Sequence, residues 1–431
     1  MNRILIRGGR LIDPASGCDE TRDLLIQDGR IAEFGEDLET RGAEVIDATH
    51  CWVSPGLVDL HCHLREPGQE HKEDIASGGR SAAAGGFTAI ACMANTDPVN
   101  DEPATTDFII DRARHDSPVR IYPVAAATRG LKGEVMTEMS ALVEAGAVAF
   151  SDDGRTIMDS GLMRRVLEYS RLVDVPVVVH CEDRTLVNDG VVNEGPVSTK
   201  LGLPGNPAVA ESVHVSRDVM LAEITGARLH VAHVSTAGAV ETIRQARDRG
   251  LNVTGEVTPH HLTLTDEEAL GFDTNTKVAP PLRSAEDVRA CREALCDGTL
   301  DAIATDHAPH AVHEKDQEYT IAPHGMIGFE TAVPVVLDLV RTGEITPIEL
   351  VRRMSTHPAR ILGQQGGSLA VGEPADVVII DPERNWTYDP AKGYSKSRNS
   401  PWAGRQLVGR TVATIVGGRL VYHVDRGVLV P

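Results

Sequence analysis

Eight short apolar runs, separated by helix-like stretches, are the feature that most constrains the fold of this 431-residue chain. The runs begin near Leu57, Thr88, Ile121, Val148, Val175, Leu229, Val253 and Ala302. Residues 160–173 and 237–249 are examples of the helical stretches between them. Because strands that alternate with helices form parallel sheets, residues 55–357 predict an α/β fold, a (β/α)8 TIM-like barrel. The active site of such a barrel lies at the carboxyl ends of its strands.

Five of these runs end in side chains that can bind a metal ion. The first run ends in His61 and His63, and the fourth, fifth, sixth and eighth runs end in Asp153, His180, His233 and Asp306. Strand side chains alternate with a period of two, so both histidines of the first run point to the same face. A doubly wound open sheet, the alternative fold, would not bring these strand ends to one point. A closed barrel does, and the pattern therefore favours the barrel.

Both ends of the chain are rich in strand-like segments joined by tight turns. Residues 4–12 contain Gly8-Gly9, residues 24–31 contain Asp28-Gly29, and residues 413–421 contain Gly417-Gly418. Each dipeptide predicts a turn, and Asp-Gly is the strongest short hairpin signal. Residues 375–381 predict a further strand. We therefore predict that residues 1–54 and 358–431 together form a small β-sandwich domain beside the barrel domain of residues 55–357.

Net charge and cysteine usage limit the partners and compartments that suit the chain. The formal net charge of −21, from 42 basic and 63 acidic residues, argues against nucleic acid or an anionic membrane as a partner. Residues 1–4 lack a signal-peptide pattern and no apolar run reaches membrane-span length, so we expect a cytoplasmic protein. Seven cysteines without a CxxC pair argue against a disulfide framework. Strand alternation turns Cys62 and Cys181 away from the neighbouring histidines, which predicts that both are packing residues.

The metal-capable residues are four histidines and two carboxylates, the mixed nitrogen and oxygen set that Zn²⁺ prefers. Six ligands exceed one tetrahedral site, and a pair of metals that share a bridging carboxylate uses them economically. Two metals with a bridging water suit hydrolysis. The fourth run offers both Asp152 and Asp153 as the bridge. Alternation lets only one of them face the metals, and spacing leaves open which one.

Longer motifs surround these residues. They are DLHCHLREPG at 59–68, MANT at 93–96, FSDDGR at 150–155, HCED at 180–183 and ATDHAPH at 304–310. Together they resemble the amidohydrolase superfamily and, within it, the class I dihydroorotases, over nearly the whole chain. The resemblance implies a cyclic amide hydrolase. Its reaction would be the reversible cyclisation of N-carbamoyl-L-aspartate to L-dihydroorotate, with loss of water, in de novo pyrimidine (UMP) biosynthesis.

The resemblance also implies a role for each metal-capable residue by its position. His61 and His63 would bind one Zn²⁺, His180 and His233 would bind a second, and Asp153 would bridge the two. Asp306 would complete the first site and carry the proton between the bridging water and the ring nitrogen. The implied cofactor is therefore two Zn²⁺ per subunit.

Substrate contacts are implied for His63, Arg65, Asn95, Ala279, His310, His324 and Gly325. Arg65 lies two residues beyond His63 and can pair with the substrate carboxylate through two charge-assisted hydrogen bonds. His310 would give a second donor, and Gly325 would contact the substrate through its backbone. Ala279 stands where the family often has Asn, and His324 stands where it commonly has an aromatic residue. Both departures bear on substrate affinity.

Two other functions fit parts of the pattern. Hydantoinases and allantoinases resemble it but bridge their metals with a carboxylated lysine, whereas the fourth run has no lysine and Lys132 looks like a loop residue. A non-catalytic partner of aspartate transcarbamoylase would typically lack metal ligands, and all six are present here. Because active class I members also associate with that transcarbamoylase, the resemblance predicts such a complex as well as a homodimer.

Two segments near the predicted site keep alternative interpretations. Residues 311–324 form a polar loop with Lys315, Asp316 and Gln317, either a lid over the eighth strand or an ordinary surface loop. His260 and His261, after the seventh strand, either line the pocket or pack in the core.

Overall fold

The computed structural model describes residues 3–40 and 42–429; the first two residues of the predicted N-terminal segment, Arg41 and the last two residues lie outside it. The strands are β1 (Arg3–Asp13), β2 (Cys18–Gln27), β3 (Arg30–Gly35), β4 (Glu44–Asp47), β5 (Trp52–Pro55), β6 (Leu57–Cys62), β7 (Phe87–Cys92), β8 (Arg120–Ala125), β9 (Ala149–Phe150), β10 (Val177–Val179), β11 (Val192–Asn193), β12 (Gly205–Asn206), β13 (Leu229–Val231), β14 (Val253–Val257), β15 (Ala302–Ile303), β16 (Val377–Thr387), β17 (Gln406–Val416), β18 (Arg419–His423) and β19 (Gly427–Val428).

The helices lie mainly between the strands of the middle region. They are α1 (Ile75–Gly85), α2 (Pro103–Asp116), α3 (Met139–Glu144), α4 (Ser160–Leu172), α5 (Arg184–Val187), α6 (Pro196–Leu201), α7 (Val209–Thr225), α8 (Ala237–Asp248), α9 (Pro259–Thr263), α10 (Ala285–Asp297), α11 (Val312–Lys315), α12 (Phe329–Arg341), α13 (Pro347–Val351) and α14 (His357–Leu362). No helix in the described ranges is long and apolar enough to cross a membrane.

Eight parallel strands form the central sheet, in the order β15-β14-β13-β10-β9-β8-β7-β6. A parallel bridge between Cys62 and His307 joins the first strand to the segment after the last, so the sheet nearly closes on itself. The predicted barrel is therefore confirmed, and the doubly wound alternative is wrong. Near closure brings the carboxyl ends of all eight strands to one mouth.

Both chain ends contribute to a second, nine-stranded mixed sheet. Strand β5 joins its two halves, because it pairs in parallel with β1 and antiparallel with β16. Buried side chains of the two halves, such as Leu24, Val53, Val377 and Ile415, share one apolar core. The β domain built from both ends is thus confirmed, while its boundaries at residues 54/55 and 357/358 stay predictions.

Two of the three predicted turns are present, and one prediction is wrong. Asp28-Gly29 joins β2 to β3 and Gly417-Gly418 joins β17 to β18, with all four residues at positive φ. Gly8-Gly9 makes no turn, because β1 runs on through it. The pairing with β2 shifts there, and Gly8, at φ 70°, donates its N–H to the Asp23 carboxylate at 2.9 Å. The extra residue is absorbed as a β-bulge.

The cysteine predictions agree with the structure. Cys62 and Cys181 are buried in the apolar core around the barrel, and the Cys62 thiol lies 3.2 Å from the Ala91 carbonyl oxygen. All seven cysteines are free thiols.

Candidate metal centre

The carboxyl ends of five barrel strands bring the six predicted ligands together. The His61 Nε2 atom lies 3.3 Å from Asp153 Oδ1 and 3.6 Å from Asp306 Oδ1. The His63 Nε2 atom lies 3.1 Å from Asp306 Oδ1 and 3.6 Å from Asp153 Oδ2. These residues are almost completely shielded from solvent.

The other two histidines, His180 and His233, complete the cluster from the segments directly after strands β10 and β13. The His180 Nδ1 atom lies 2.9 Å from His233 Nε2, and both atoms lie within 3.7 Å of Asp153 Oδ1. Asp153 therefore contacts all four imidazoles, which is the position that a bridging carboxylate needs.

The side chains of Asp152 and Asp153 point in different directions, as strand alternation predicts. The Asp152 carboxylate turns away from the histidines and accepts hydrogen bonds from the Thr128 backbone N–H, at 2.9 Å, and from the Thr128 hydroxyl. Burial raises the pKa of Asp152 to about 6. Burial opposes ionisation of Asp153 too, but the close approach of His61, His180 and His233 to its carboxylate holds its pKa well below the ordinary value.

Buried atoms without partners indicate that this cluster suits cations. Among the described residues, His61 Nε2 and Asp153 Oδ1 are buried and lack a hydrogen-bond partner, although they face each other. Two overlapping sets of ligand atoms are close enough to hold an ion: His61, Asp153 and His233, and His61, His63 and Asp306. Since buried polar atoms are normally satisfied, unpaired donors and acceptors that converge in this way fit a pair of metal ions.

A cavity of about 170 Å³ opens beside the cluster, and all seven predicted substrate residues line it. Its walls are His63, Arg65, Asn95, Asp153, Gly154, His180, His233, Ala279, Asp306, Ala308, His310, His324 and Gly325. The cavity therefore places the predicted metal ligands and the predicted substrate contacts around one space.

Arg65 supplies a buried positive charge to this cavity. It is only 8% exposed, and its Nε–H donates to the Pro309 carbonyl oxygen at 3.2 Å. No carboxylate of the described chain forms an ion pair with its guanidinium, so the structural salt bridge that would compete with a ligand is absent there. Burial lowers the pKa of Arg65 to about 10, and the group stays charged at neutral pH. An unpaired buried guanidinium is suited to a carboxylate ligand.

Known proteins place the chain in a family. A family model described as dihydro-orotase-like matches residues 51–239. The dihydroorotase of Anaeromyxobacter dehalogenans (strain 2CP-1 / ATCC BAA-258) is 56% identical over 426 residues, which cover 98% of each chain. That of Syntrophotalea carbinolica is 54% identical over 98% of this chain and 100% of its own. The chain belongs to the dihydroorotase family.

Solved structures related to this dihydroorotase-family chain share its whole architecture. The L-hydantoinase (dihydropyrimidinase) from Arthrobacter aurescens superposes with a TM-score of 0.89 at 27% identity, covering 100% of this chain and 98% of its own. A D-hydantoinase gives a TM-score of 0.86 at 26% identity, over 99% and 96% of the two chains. Sequence therefore favours the dihydroorotases over the hydantoinases, which match at about half the identity.

Two carboxylates behind the cluster were missed by the sequence analysis. Glu256 accepts hydrogen bonds from His61 Nδ1 at 3.2 Å and from His230 Nε2 at 3.1 Å. Glu182 lies 2.9 Å from His180 Nε2 and accepts from the Asn206 amide at 2.6 Å. Burial opposes ionisation of both, but their histidine partners hold each pKa at about 2. Each carboxylate fixes its ring so that the opposite nitrogen faces Asp153.

Asn95 also acts on a histidine, a contact that the sequence analysis did not predict. Its Oδ1 atom lies 2.8 Å from His63 Nδ1, and its Nδ2 atom lies 3.5 Å from Asp153 Oδ2. The alternation of strand β14 and the HCED motif at 180–183 were the available signals for Glu256 and Glu182. For Asn95, the signal was its place after strand β7.

We expect Glu256→Gln to weaken metal binding about 10- to 100-fold, the usual effect of removing a hydrogen-bonding partner of a ligand histidine. An amide is a weaker acceptor than a carboxylate, so it orients the His61 ring less firmly. Competition with a chromogenic chelator measures this affinity. The exposed Glu241→Gln, on helix α8, is the control. Equal affinity in both variants would show that Glu256 does not support the ligand.

Other predicted residues have different surroundings. His260 and His261 are buried but do not line the cavity; His261 contacts the Thr258 hydroxyl at 2.8 Å and the Pro280 carbonyl oxygen at 3.1 Å. Lys132 is exposed, as expected of a loop residue. Within the predicted polar loop of residues 311–324, Lys315 is 5% exposed and its ammonium contacts backbone carbonyls. Whether this loop is a lid or an ordinary surface loop stays a prediction.

Proposed function

We propose that this chain is a zinc-dependent dihydroorotase that interconverts N-carbamoyl-L-aspartate and L-dihydroorotate in pyrimidine biosynthesis. The observation that carries the proposal is one cavity that is lined both by members of the His/Asp cluster and by Arg65, which pairs with no carboxylate of the described chain. A cyclic amide that bears a carboxylate has the two features that these walls complement. The dihydroorotase relatives, more than 50% identical over their full length, support the same substrate.

In this proposal His61, His63 and Asp306 would hold one Zn²⁺, His180 and His233 would hold a second, and Asp153 would serve both sites. Bound there, the ions would lower the pKa of a water molecule and polarise the amide carbonyl. Imidazole nitrogens and carboxylate oxygens are the ligand types that Zn²⁺ takes in catalytic sites.

Asp306 is the proposed general base and acid. Its carboxylate faces the cavity, with Oδ1 at 3.1 Å from His63 Nε2. In hydrolysis this carboxylate accepts a proton from the attacking water. It returns the proton to the ring nitrogen as the amide C–N bond breaks, and ring closure runs the same transfers in reverse.

Arg65 is proposed to bind the substrate carboxylate. Arg65 lines the cavity together with Asn95, Ala279, His324 and Gly325, and its Nη2 atom lies 3.4 Å from His310 Nε2. The His310 Nε2 atom lies 2.7 Å from the His324 carbonyl oxygen, so this nitrogen is a donor and is already engaged. Arg65 therefore carries most of the proposed carboxylate binding, with His310 as a wall of the cavity.

We expect Arg65→Met to lower kcat/KM for L-dihydroorotate about 10²- to 10³-fold, the effect of removing one partner of a buried charged hydrogen bond. Most of the loss should be a rise in KM, since Arg65 holds a part of the substrate that does not react. Steady-state kinetics on 5,6-dihydrouracil, which lacks the carboxylate, is the control. An equal loss on both substrates would contradict carboxylate binding by Arg65.

Turnover of L-dihydroorotate by the zinc-reconstituted chain, followed by ring absorbance, tests the proposed function. Hydantoin and allantoin are the competing substrates. Preference for dihydroorotate supports the proposal, whereas preference for either other ring would assign the chain a different cyclic amidase activity. Failure on all three rings, with metal bound, would favour the non-catalytic role beside aspartate transcarbamoylase.

We further propose a homodimer that forms through helices α4 and α7. These helices expose large apolar side chains along one face: Tyr169, Leu172, Val209, Val213, Met220 and Ile224, each between 46% and 78% exposed. The four on α7 fall within one narrow stripe, because their spacing follows the helical period. Exposed patches of this kind mark protein contacts. The complex with aspartate transcarbamoylase and the cytoplasmic location stay predictions from the resemblance and the sequence.

We expect Met220→Glu combined with Ile224→Glu to convert the dimer to a monomer, since two carboxylates per subunit would have to be buried at the contact. Sedimentation equilibrium measures the mass. The double variant Val371→Glu with Ile321→Glu, at exposed apolar residues elsewhere, should remain dimeric. A monomeric wild type, or a dimer that survives the α7 changes, would rule out this face.

A further inference from the structure

Two buried lysines lie behind the wall of the substrate cavity. Lys277 is 2% exposed and Lys315 is 5% exposed. Neither ammonium forms an ion pair with a carboxylate in the part of the chain that the structure describes. Burial lowers the pKa of Lys277 to about 8, and burial and the charge of Lys277 lower the pKa of Lys315 to about 7. Burying an unpaired ammonium is costly, so its hydrogen bonds must offset that cost.

The Lys315 ammonium joins two segments of backbone. Its Nζ atom lies 2.8 Å from the Pro323 carbonyl oxygen, 3.0 Å from that of Gly325 and 3.5 Å from that of Lys277. The Gly325 N–H donates in turn to the Lys277 carbonyl at 2.8 Å. An ammonium has three N–H donors, and here three carbonyls surround it.

These segments form one wall of the cavity. His324 and Gly325 line it on one segment, and Ala279 lines it two residues beyond Lys277. Gly325 has a φ of 134°, and a Cβ atom there would lie only 2.7 Å from Ala308 Cβ, so the position has no room for a side chain. At this residue the backbone itself lines the cavity. The position of this wall therefore depends on contacts to its carbonyls.

Other contacts to this wall come from Asn399. Its side-chain amide donates to the carbonyls of Gly325 and Ala308, both at 3.0 Å, and its Oδ1 atom accepts from the His310 N–H at 3.1 Å. Asn399 thus ties Gly325 to the barrel. Of the two side chains, only Lys315 connects Gly325 with Pro323 and Lys277.

We propose that Lys315 is a positioning residue that sets substrate affinity by holding residues 323–325 against residues 277–279. The inference rests on the proposed dihydroorotase function, because the affinity concerned is that for the cyclic substrate. Lys315 does not touch the cavity or the metal cluster. Its loss therefore relaxes the wall and leaves the proposed metal ligands, which lie at the ends of barrel strands or directly after them, in place.

Lys277 provides a matched control. It is the same residue type with the same burial, on a segment that Lys315 contacts, but its Nζ atom donates to the Thr320 carbonyl at 3.1 Å. Thr320 does not line the cavity. Lys315→Met and Lys277→Met should therefore destabilise the fold to a similar degree and differ in their effect on substrate affinity.

The test measures kcat and KM for L-dihydroorotate, bound zinc, and hydrogen exchange of the peptide that contains residues 320–327. We expect Lys315→Met to raise KM about tenfold, with kcat within about threefold of wild type and full zinc content, as expected when uniform binding is lost. Exchange of the Gly325 amide should accelerate. Lys315→Gln keeps two donors and should give an intermediate KM, while Lys277→Met, whose ammonium contacts only the Thr320 carbonyl outside the cavity, should raise KM less than Lys315→Met does.

Each result has a distinct meaning. A fall in kcat with unchanged KM in Lys315→Met, or equal KM changes in the two Met variants, would overturn the proposal. Unchanged exchange at residues 320–327 would also overturn it. If Lys315→Met does not fold, the KM of Lys315→Gln is compared with that of Lys277→Met instead, and a KM for Lys315→Gln no higher than that for Lys277→Met would overturn the proposal. A wild type without dihydroorotate turnover would instead refute the proposed function, and the exchange data would still report whether Lys315 holds the wall.

Discussion

Asp306→Asn is expected to lower kcat for L-dihydroorotate about 10²- to 10⁴-fold, the range in which positioned general acid–base groups contribute. Asparagine has nearly the same shape and retains an oxygen that can remain near His63, but it cannot accept and return a proton. Both directions should be affected, because hydrolysis and ring closure use the same proton transfers in reverse. Initial rates measured from dihydroorotate and from N-carbamoyl-L-aspartate check this expectation.

Metal content must be measured alongside these rates. The Asp306 carboxylate lies close to His61 and His63, so its replacement also weakens one of the proposed metal sites. Saturating zinc restores occupancy and separates lost binding from lost proton transfer. A zinc-saturated Asp306→Asn enzyme that works within tenfold of wild type in both directions would exclude Asp306 as the proton carrier.

The barrel could be predicted from the sequence because its signal is local. Each apolar run that predicts a strand is short, buried and followed by a helix, as with Leu229–Val231 and helix α8 after it. The clustering of the six metal-capable residues then follows from near closure of the sheet. Position in a known fold, more than the identity of any one residue, made these side chains predictable.

Contacts between distant segments were not predictable in the same way. Glu256 lies 195 residues from His61 in sequence, and only the pairing of barrel strands brings them together. Lys315 stands in a polar stretch, and nothing local in that stretch indicates the three backbone carbonyls that surround its ammonium and offset the cost of its burial. At Gly8-Gly9 the local signal for a turn was overridden, because Asp23 on the neighbouring strand accepts the Gly8 N–H.

The choice between Asp152 and Asp153 shows where alternation is sufficient and where it is not. Alternation predicts that the two carboxylates face opposite ways, and they do. Which one faces the histidines depends on the exact register of a two-residue strand, β9, beside β8 and β10. In the structure Thr128, which follows β8, donates a hydrogen bond to the Asp152 carboxylate. Asp152 therefore points away from the histidines, and Asp153 faces them.

In the zinc-reconstituted chain, Asp153→Asn is expected to remove at least one of the two proposed metal ions per subunit and to lower kcat about 10³-fold, since the several kcal/mol that metal ions contribute to a transition state correspond to about that factor. An amide carries no charge to hold two cations near each other, and its NH₂ group would face the histidines. Elemental analysis after desalting and steady-state kinetics measure the two effects.

Asp152→Asn is the matched control, because it makes the same change one residue earlier in an equally buried side chain. Its amide oxygen can still accept the Thr128 N–H, so we expect both zinc ions to remain and kcat to stay within about tenfold, the cost of one weakened buried hydrogen bond. If Asp152→Asn lost zinc and Asp153→Asn kept it, the assignment of the bridge would be reversed. If both variants kept two zinc ions, the four histidines with Asp306 would have to hold the pair without a carboxylate from this strand.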